Sequence, residues 1–399
     1  MNSVKPPSLF RPWLICIIGL LTYFGGLLSV ATIANKPFFH VWIHAGVPAM
    51  DYAFADLAVV ADGIEAEANG YSPYENRRSE IHQLPTYNYP RIWTSLKYLG
   101  FSSATVPIGG VILASFFWIT SLAVTRPKTP IEALWVTAFL CSPMAMLAVE
   151  RGNIDQAVFV LTSIAVLIPS RHIWFASAVL LVAAISKLFP LAAVASLWNR
   201  PGIKGALPLI ALVSVFSIHA FFHIADLRIV SAVTPRVSIL SYGAAVPLQT
   251  LSNHLQLNIP YYYCHVTGVV LISLLVTVTV WLTRRIALSV PAYPARAFLA
   301  GAGIYCGTFL IGNNFQYRAI FLLLCAPALF SIAKVKNPYP SRLAIGTLGL
   351  ILLWTWWDFF STEALLRTAL LKNGLSMLLF ALLFTLGWKL RPWKAQSTT

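Results

Sequence analysis

Residues 12–34 read PWLICIIGLLTYFGGLLSVATIA, a run without a charged side chain between Arg11 and Lys36. At 1.5 Å per residue a helix of this length covers about 35 Å, enough to cross a hydrocarbon core of about 30 Å. Working outward, the same kind of run recurs to the end of the chain. Apolar stretches bounded by charges, Pro or Gly predict further helices near 104–125, 131–149, 154–169, 173–186, 188–198, 205–224, 264–283, 297–312, 319–333, 343–357 and 369–388. The 399 residues are 58% hydrophobic and 10% charged, whereas water-soluble domains average about 45–50% apolar and about 25% charged. The expectation is an all-α polytopic membrane protein of about 12 transmembrane helices, built as one integral membrane domain over 1–399. The short segments around Lys187 and Pro190 are acceptable only where other helices surround them. The first span has no small-residue cleavage site after it and reads as a retained helix.

Charge excludes some functions and orients the chain. The net charge of +15 suggests nucleic acid at first sight, but the basic residues stand singly between apolar runs and form no patch, so no nucleic-acid partner is expected. With the N-terminus cytoplasmic, the inner loops collect Lys5, Arg11, Arg126, Lys128, Arg171, Arg200, Lys204, Arg284, Arg285, Arg296, Lys334, Lys336, Arg342, Lys389, Arg391 and Lys394, and a single acid, Glu132. The whole +15 then belongs to the inner face, and the outer face is balanced. The expectation is a multi-pass protein of the cell (inner or plasma) membrane with both termini cytoplasmic. Two long segments, 35–103 and 225–263, fall outside, and long loops in compact folds usually carry function.

The first outer loop holds Asp51, Asp56, Asp62, Glu65, Glu67, Glu75 and Glu80. Read as an interfacial helix over 51–68, it puts Asp51, Asp62, Glu65 and Asn69 on one side and Asp56 on the other with Ala53, Val60 and Ile64. A carboxylate on the apolar side is costly unless it has a task or a partner. Tyrosines follow: Tyr74 in GYSPY, then Tyr87 and Tyr89 in TYNYP, suited to stacking on sugars and equally to an aromatic belt. Four further groups break the apolar runs on the outer side: Glu150, Arg151, Asn153 and Asp155; Lys187; Asn314, Gln316 and Arg318; and, in the second long loop, Asp226, Arg228, Arg236, His254 and His265 around Tyr261–Tyr263. Ionisable groups at membrane depth are functional candidates; Arg151 and Arg318 can equally snorkel or pair with Glu150 and Asp155. Lys187, Arg151 and Arg318 suit a phosphate, with Asp56 as a base beside it. No ligand spacing points to a metal, and no nucleotide-binding loop or serine elbow is present. Of five cysteines, Cys141 and Cys306 lie mid-span, which argues against a disulfide framework.

Asp56, Gly70-Tyr71-Ser72-Pro73-Tyr74 and Tyr89-Pro90, followed by Glu150-Arg151-Gly152-Asn153-Ile154-Asp155 and Lys187-Leu188-Phe189-Pro190, together resemble the GT-C glycosyltransferases, closest to the bacterial polyprenyl-phosphate-mannose-dependent branch, glycosyltransferase family 87. The resemblance covers roughly 50–200. It departs at Gln316, where an acid is expected, and at Pro90-Arg91. It implies a catalytic module over 1–204 with variable C-terminal helices over 205–399, and a polyprenyl-phosphate-sugar donor with no nucleotide sugar, metal or other cofactor. The acceptor is a glycan or glycolipid hydroxyl on the outer face. Asp56 is the implied catalytic base, and Lys187, Arg318 and Arg151 the donor phosphate ligands. Tyr74, Tyr87, Tyr89, Glu150, Asn153, Asp155, Asn314, Gln316 and His254 are the candidates for sugar or acceptor contacts. Two other readings use the same residues: a transporter or flippase for an anionic lipid or sugar, against which no two-fold hydropathy repeat is seen, and a scaffold offering its outer loops to a partner.

Overall fold

The computed structural model describes residues 11–74, 86–198, 201–234, 236–238, 240–360 and 366–390. Glu75, Glu80, Lys5, Arg200, Arg391 and Lys394 lie outside the described residues. The first half contains α1 (Trp13–Ala34), α2 (Phe38–Val41), α3 (Ala55–Ala68), α4 (Val106–Thr125), α5 (Pro130–Leu140), α6 (Pro143–Glu150), α7 (Asp155–Leu167) and α8 (Ile173–Ser186). The second contains α9 (Ile203–Phe222), α10 (Ile224–Val233), α11 (Val246–Leu255), α12 (Tyr261–Thr283), α13 (Ala292–Ile311), α14 (Ala326–Ala333), α15 (Pro338–Thr355), α16 (Trp357–Phe360) and α17 (Leu366–Lys389). Tighter 3-10 segments run over Arg91–Leu99, Phe189–Leu197 and Gln316–Cys325. A two-residue antiparallel pair, β1 (Ser241–Tyr242) with β2 (Asn314–Phe315), clips the second long loop to the start of the last 3-10 segment.

Every expected apolar segment is helical, but not every one is a span. Among the described residues seven helices are long and apolar enough to cross a membrane, and nine if each of two bent pairs is one span, against the twelve expected. The difference arises where apolar runs are short. Phe189–Leu197 is a nine-residue 3-10 stretch. The run 131–149 is broken into α5 and α6 with a 53° bend, where Ser142 caps α6 and Pro143 follows it. Segments α7 and α8 meet at 110°. The first residue of α7, Asp155, and the residue after α8, Lys187, nevertheless touch at 2.5 Å. The sharp bend thus brings the two ends of the pair together.

The core lies around α13 and the 316–333 segment, with 67% and 78% of their apolar windows buried, whereas α1, α9 and α12 have 22%. Membrane helices gain nothing from hiding apolar surface from lipid, so close backbone approach decides which helices go inside. Helix α13 supplies it with small residues: a Cβ on Gly303 would stand 2.2 Å from the Ala192 carbonyl oxygen, and one on Gly301 2.6 Å from that of Phe321.

Arg296 departs from its expected place in an inner loop. It is buried in α13, and its guanidinium donates to the carbonyl oxygens of Ser196 (3.2 Å), Ile168 (2.7 Å) and Ala165 (3.0 Å). These are open carbonyls at the ends of α7 and of Phe189–Leu197, and one planar fork satisfies both ends. Arg296→Met is therefore expected to lower stability by about 3 kcal/mol, because buried acceptors lose their donors. Thermal unfolding of purified protein followed by size exclusion checks this, and an unchanged midpoint would refute the role.

Candidate functional site

Helix α3 begins at residue 55, not 51, and is buried around most of its circumference. Asp51, Glu65 and Asn69 are exposed, and Val60 and Ile64 are buried, as the angular reading requires, but Ala53, expected on the apolar side, is exposed ahead of the helix, and Asp62, expected on the solvated side, is half-buried. The helix lies under the 86–99 segment: a Cβ on Gly63 would stand 2.5 Å from the Tyr87 ring, and Glu67 near its end accepts from Lys97 Nζ at 2.7 Å. Its start is fixed by the loop after α6. Phe54 N–H donates to the Glu150 carbonyl at 3.0 Å, and Asp56 N–H donates to the Arg151 carbonyl at 2.9 Å. Phe54 takes the left-handed region at φ 57° to make this turn. Gly152, at φ 58°, comes within 2.9 Å of Phe54 Cβ where any side chain would stand.

Asp56 is half-buried and accepts from Asn153 Nδ2 at 2.5 Å. Burial raises its pKa above the ordinary aspartate value; Asn153, and the positive charges of Arg151 and Lys187, oppose that rise. Asn153 Oδ1 in turn accepts the backbone N–H of Asp155 at 2.8 Å. The Asp155 carboxylate, fully buried, receives Lys187 Nζ on one oxygen at 2.5 Å and Arg318 Nε on the other at 3.0 Å. Arg318 is also bonded to Asn314 Oδ1, while Asn314 Nδ2 donates to the carbonyls of Thr308 (2.5 Å) and Gly312 (2.7 Å). The Arg318 guanidinium lies 4.4 Å from the centre of the Phe189 ring, and Lys187 Nζ 5.2 Å from that of Tyr89.

The two cations face a cavity of about 390 Å³. Both long loops reach it, the first through Asn88, Tyr89 and Pro90 and the second through Leu227, Arg236 and Tyr261. Its charged lining is Lys187, Arg236 and Arg318, with no carboxylate among the described residues. Behind this wall, Asp56 lies within electrostatic reach of Tyr89 and Tyr317, both of which line the cavity. A space with cationic walls and an apolar remainder suits an anionic head group with a hydrocarbon or sugar attached.

Of the residues singled out by sequence, Tyr89, Lys187, Asn314 and Arg318 line the cavity, as do Arg236 and Tyr261 of the second long loop; Asp56 and the other candidates for phosphate and sugar contacts do not. Asn153 and Asp155 are buried beneath it and act on Asp56 and on the cations. Arg151 points elsewhere: it pairs with Glu150 at 3.2 Å and donates to the Pro48 carbonyl at 3.2 Å, while Glu150 accepts from Met50 N–H at 3.0 Å. These contacts anchor residues 48–56 rather than a phosphate. Tyr74 and Tyr87 support Tyr89 from behind, with ring centres 5.5 and 5.8 Å apart along the series and hydroxyls donating to the carbonyls of Tyr89 (3.3 Å) and Pro90 (3.0 Å). His254 sits on the exposed end of α11, outside the cavity lining. Gln316 is buried and bonded to both Asp358 and Lys372, which themselves pair at 2.6 Å. Sequence reading missed this pair, and missed Tyr317 and Phe189 as cavity residues. For Tyr317 the signal was present, since it immediately precedes Arg318.

Comparison with family models, with curated proteins and with solved structures finds no match.

Asp155 has no role that requires contact with a ligand, but two cations depend on it. Asp155→Ala is expected to destabilise the protein by about 3 kcal/mol, since it leaves Lys187 and Arg318 without a buried counter-charge. A thermal midpoint unchanged from wild type would show that the cations do not need it.

Proposed function

We propose that the chain is an inverting glycosyltransferase. It moves a hexose, mannose first among candidates, from a polyprenyl-monophosphate sugar to a hydroxyl of a lipid-linked or cell-envelope glycan. In this reading the cavity opens on the outer side of a cell membrane, both termini are cytoplasmic, and α7 and α8 are two of the twelve crossings expected from the apolar runs. Asp56 and the 86–99 segment then lie at the outer membrane surface. No metal or other cofactor is required.

The observation that carries the reading is the pairing of a cation-walled cavity with a raised-pKa carboxylate, joined through Asn153 and Asp155. The resemblance of residues 50–200 to GT-C enzymes, carried by some of the same residues, points the same way. The acceptor O–H loses its proton to Asp56. Its oxygen forms the new bond to the anomeric carbon as the bond from that carbon to the phosphate oxygen breaks. The electron pair departs on the phosphate, and configuration inverts because attack and departure are on opposite faces. Lys187 and Arg318 stabilise the charge that grows on the leaving polyprenyl phosphate. Arg236, on the opposite loop, completes the positive lining.

A transporter of an anionic lipid or sugar is the second reading, favoured by one feature: the two bent helix pairs, since broken helices are what transporters place at their sites. Ion-gradient-driven uptake into liposomes, without sugar transfer, would establish it instead.

Purified wild type supplied with polyprenyl-phosphate-mannose and a glycolipid acceptor is expected to transfer sugar, and Asp56→Asn to lose about 10²- to 10⁴-fold in kcat, the usual worth of a general base. Equal rates would remove Asp56 from catalysis. The pH profile gives a separate check. A base works ionised, so activity falls as pH drops through the pKa of Asp56, which burial holds above the ordinary value. Asn153→Ala removes a bond to the ionised form and is expected to move this acid limb to higher pH; a shift to lower pH, or none, would refute the coupling.

A further inference from the structure

A second cavity, of about 410 Å³, adjoins the first. The two share Pro90, Leu188, Leu227 and Val230 as a wall. The neighbours of those residues divide between them: Tyr89 and Lys187 face the first cavity, and Arg91 and Ile185 the second. Their linings differ in charge. The second has carboxylates, Glu67 and Asp226, as well as cations, Arg91 and Lys97. Glu67 is bridged to Lys97 at 2.7 Å and to Arg91 at 3.7 Å. Asp226, on α10, makes no hydrogen bond or ion pair among the described residues. The hydroxyls of Thr94 and Ser95 and the imidazoles of His219 and His223, stacked with centres 4.2 Å apart, add further donors and acceptors. Tyr98, 81% exposed, presents an aromatic face at the margin.

An anion entering this space meets two carboxylates, and a cation meets a lysine and an arginine. A polyol meets neither penalty: carboxylates accept from its hydroxyls, Lys97 and Arg91 donate to them, and an aromatic face covers its C–H surface. We infer that the second cavity binds a neutral, hydroxyl-rich ligand, and that in the proposed transferase it holds sugar of the acceptor glycan while the first holds the phosphate-bearing donor. The assignment to an acceptor rests on the transferase reading; the binding of a neutral saccharide does not. The partition is suited to this use. Leu227 and Val230 come from α10, none of whose residues is buried, so the wall between the two ligands is not part of the core.

The test uses the full-length protein in lipid nanodiscs, with mannobiose, maltose and lactose as neutral probes and decyl phosphate as the anionic probe, followed by saturation-transfer NMR. At least one disaccharide is expected to bind, and to remain bound under saturating decyl phosphate. Ser95→Trp and Asp226→Leu, neither at a buried position, are expected to weaken disaccharide binding tenfold or more and to leave decyl phosphate binding unchanged. Displacement of the disaccharide by decyl phosphate, retention in both variants, or no signal from all three disaccharides would each overturn the inference. The two readings fail separately. Sugar transfer with an unaltered acceptor KM in both variants would remove the acceptor site and keep the transferase. The expected disaccharide behaviour without any sugar transfer would keep the saccharide site and remove the transferase.

Discussion

The site depends on one carboxylate with no exposure to solvent. An ionised aspartate in an apolar interior is expensive unless both oxygens are matched, and Asp155 is matched by Lys187 at 2.5 Å and Arg318 at 3.0 Å. That requirement draws together the start of α7, the residue after α8 and the 3-10 segment that follows β2, which are distant in sequence. It also fixes which face of each cation is spent on the protein and which remains for the cavity. One negative charge shared by two positive ones leaves an excess of one in this trio, and Arg236 adds to it from the opposite loop. Asn153 extends the same network to Asp56, bonding the Asp155 backbone with one end of its amide and the Asp56 carboxylate with the other. Acid and cations are therefore parts of one hydrogen-bonded unit, in which each bond polarises the next.

Much of this was legible in the sequence because polar residues at membrane depth are rare, and each interruption of an apolar run is informative. Asp56, Asp155, Lys187, Asn314 and Arg318 were visible as interruptions, and the fold brings them together. The angular position of Asp56 on its helix was also legible. Partners were not, because sequence spacing does not say which interruption meets which. Arg151 and Arg318 looked alike, each beside a candidate acid, yet one anchors a turn through Glu150 and Pro48 and the other faces a cavity. Arg296 looked like an inner-loop charge because it stands close to Pro291 and Pro294; only the open carbonyls of two neighbouring helix ends explain its burial. The tyrosines show the same limit. Three rings in one segment all suit stacking, but the T-shaped series of Tyr74 and Tyr87 behind Tyr89 leaves one of the three on the cavity wall.

Gln316 shows how a buried polar group can be completed from far along the chain. Its amide is bonded to Asp358, forty-two positions later, and to Lys372. The carboxylate comes from the chain ahead of α17, and its charge is matched by a lysine on α17 itself. Each member of the trio has a partner, which satisfies the demand on a polar group inside a membrane protein. The trio lies beside Tyr317 and Arg318 in the chain, so it fixes the backbone from which the cation extends. No periodicity in either helix marks this, since the pairing joins a short helix of four residues to the start of a long one.

The charge of the whole chain, +15, says little about the chemistry until it is divided by place. Near the site what matters is a contrast between two adjacent spaces: among the described residues, one has three cations and no acid, and the other has two carboxylates facing a lysine and an arginine. Fields of this kind sort ligands before any specific contact forms, because the desolvated anion is favoured in one space and opposed by carboxylates in the other. In the proposed transferase, a reaction between a charged donor and a neutral acceptor would gain from such sorting twice. Each substrate would be kept out of the other's place, and the charge leaving with the phosphate would remain on the side where cations already stand. The wall between the spaces would then have only to separate the ligands while they are being bound, and a helix without a buried residue is enough for that.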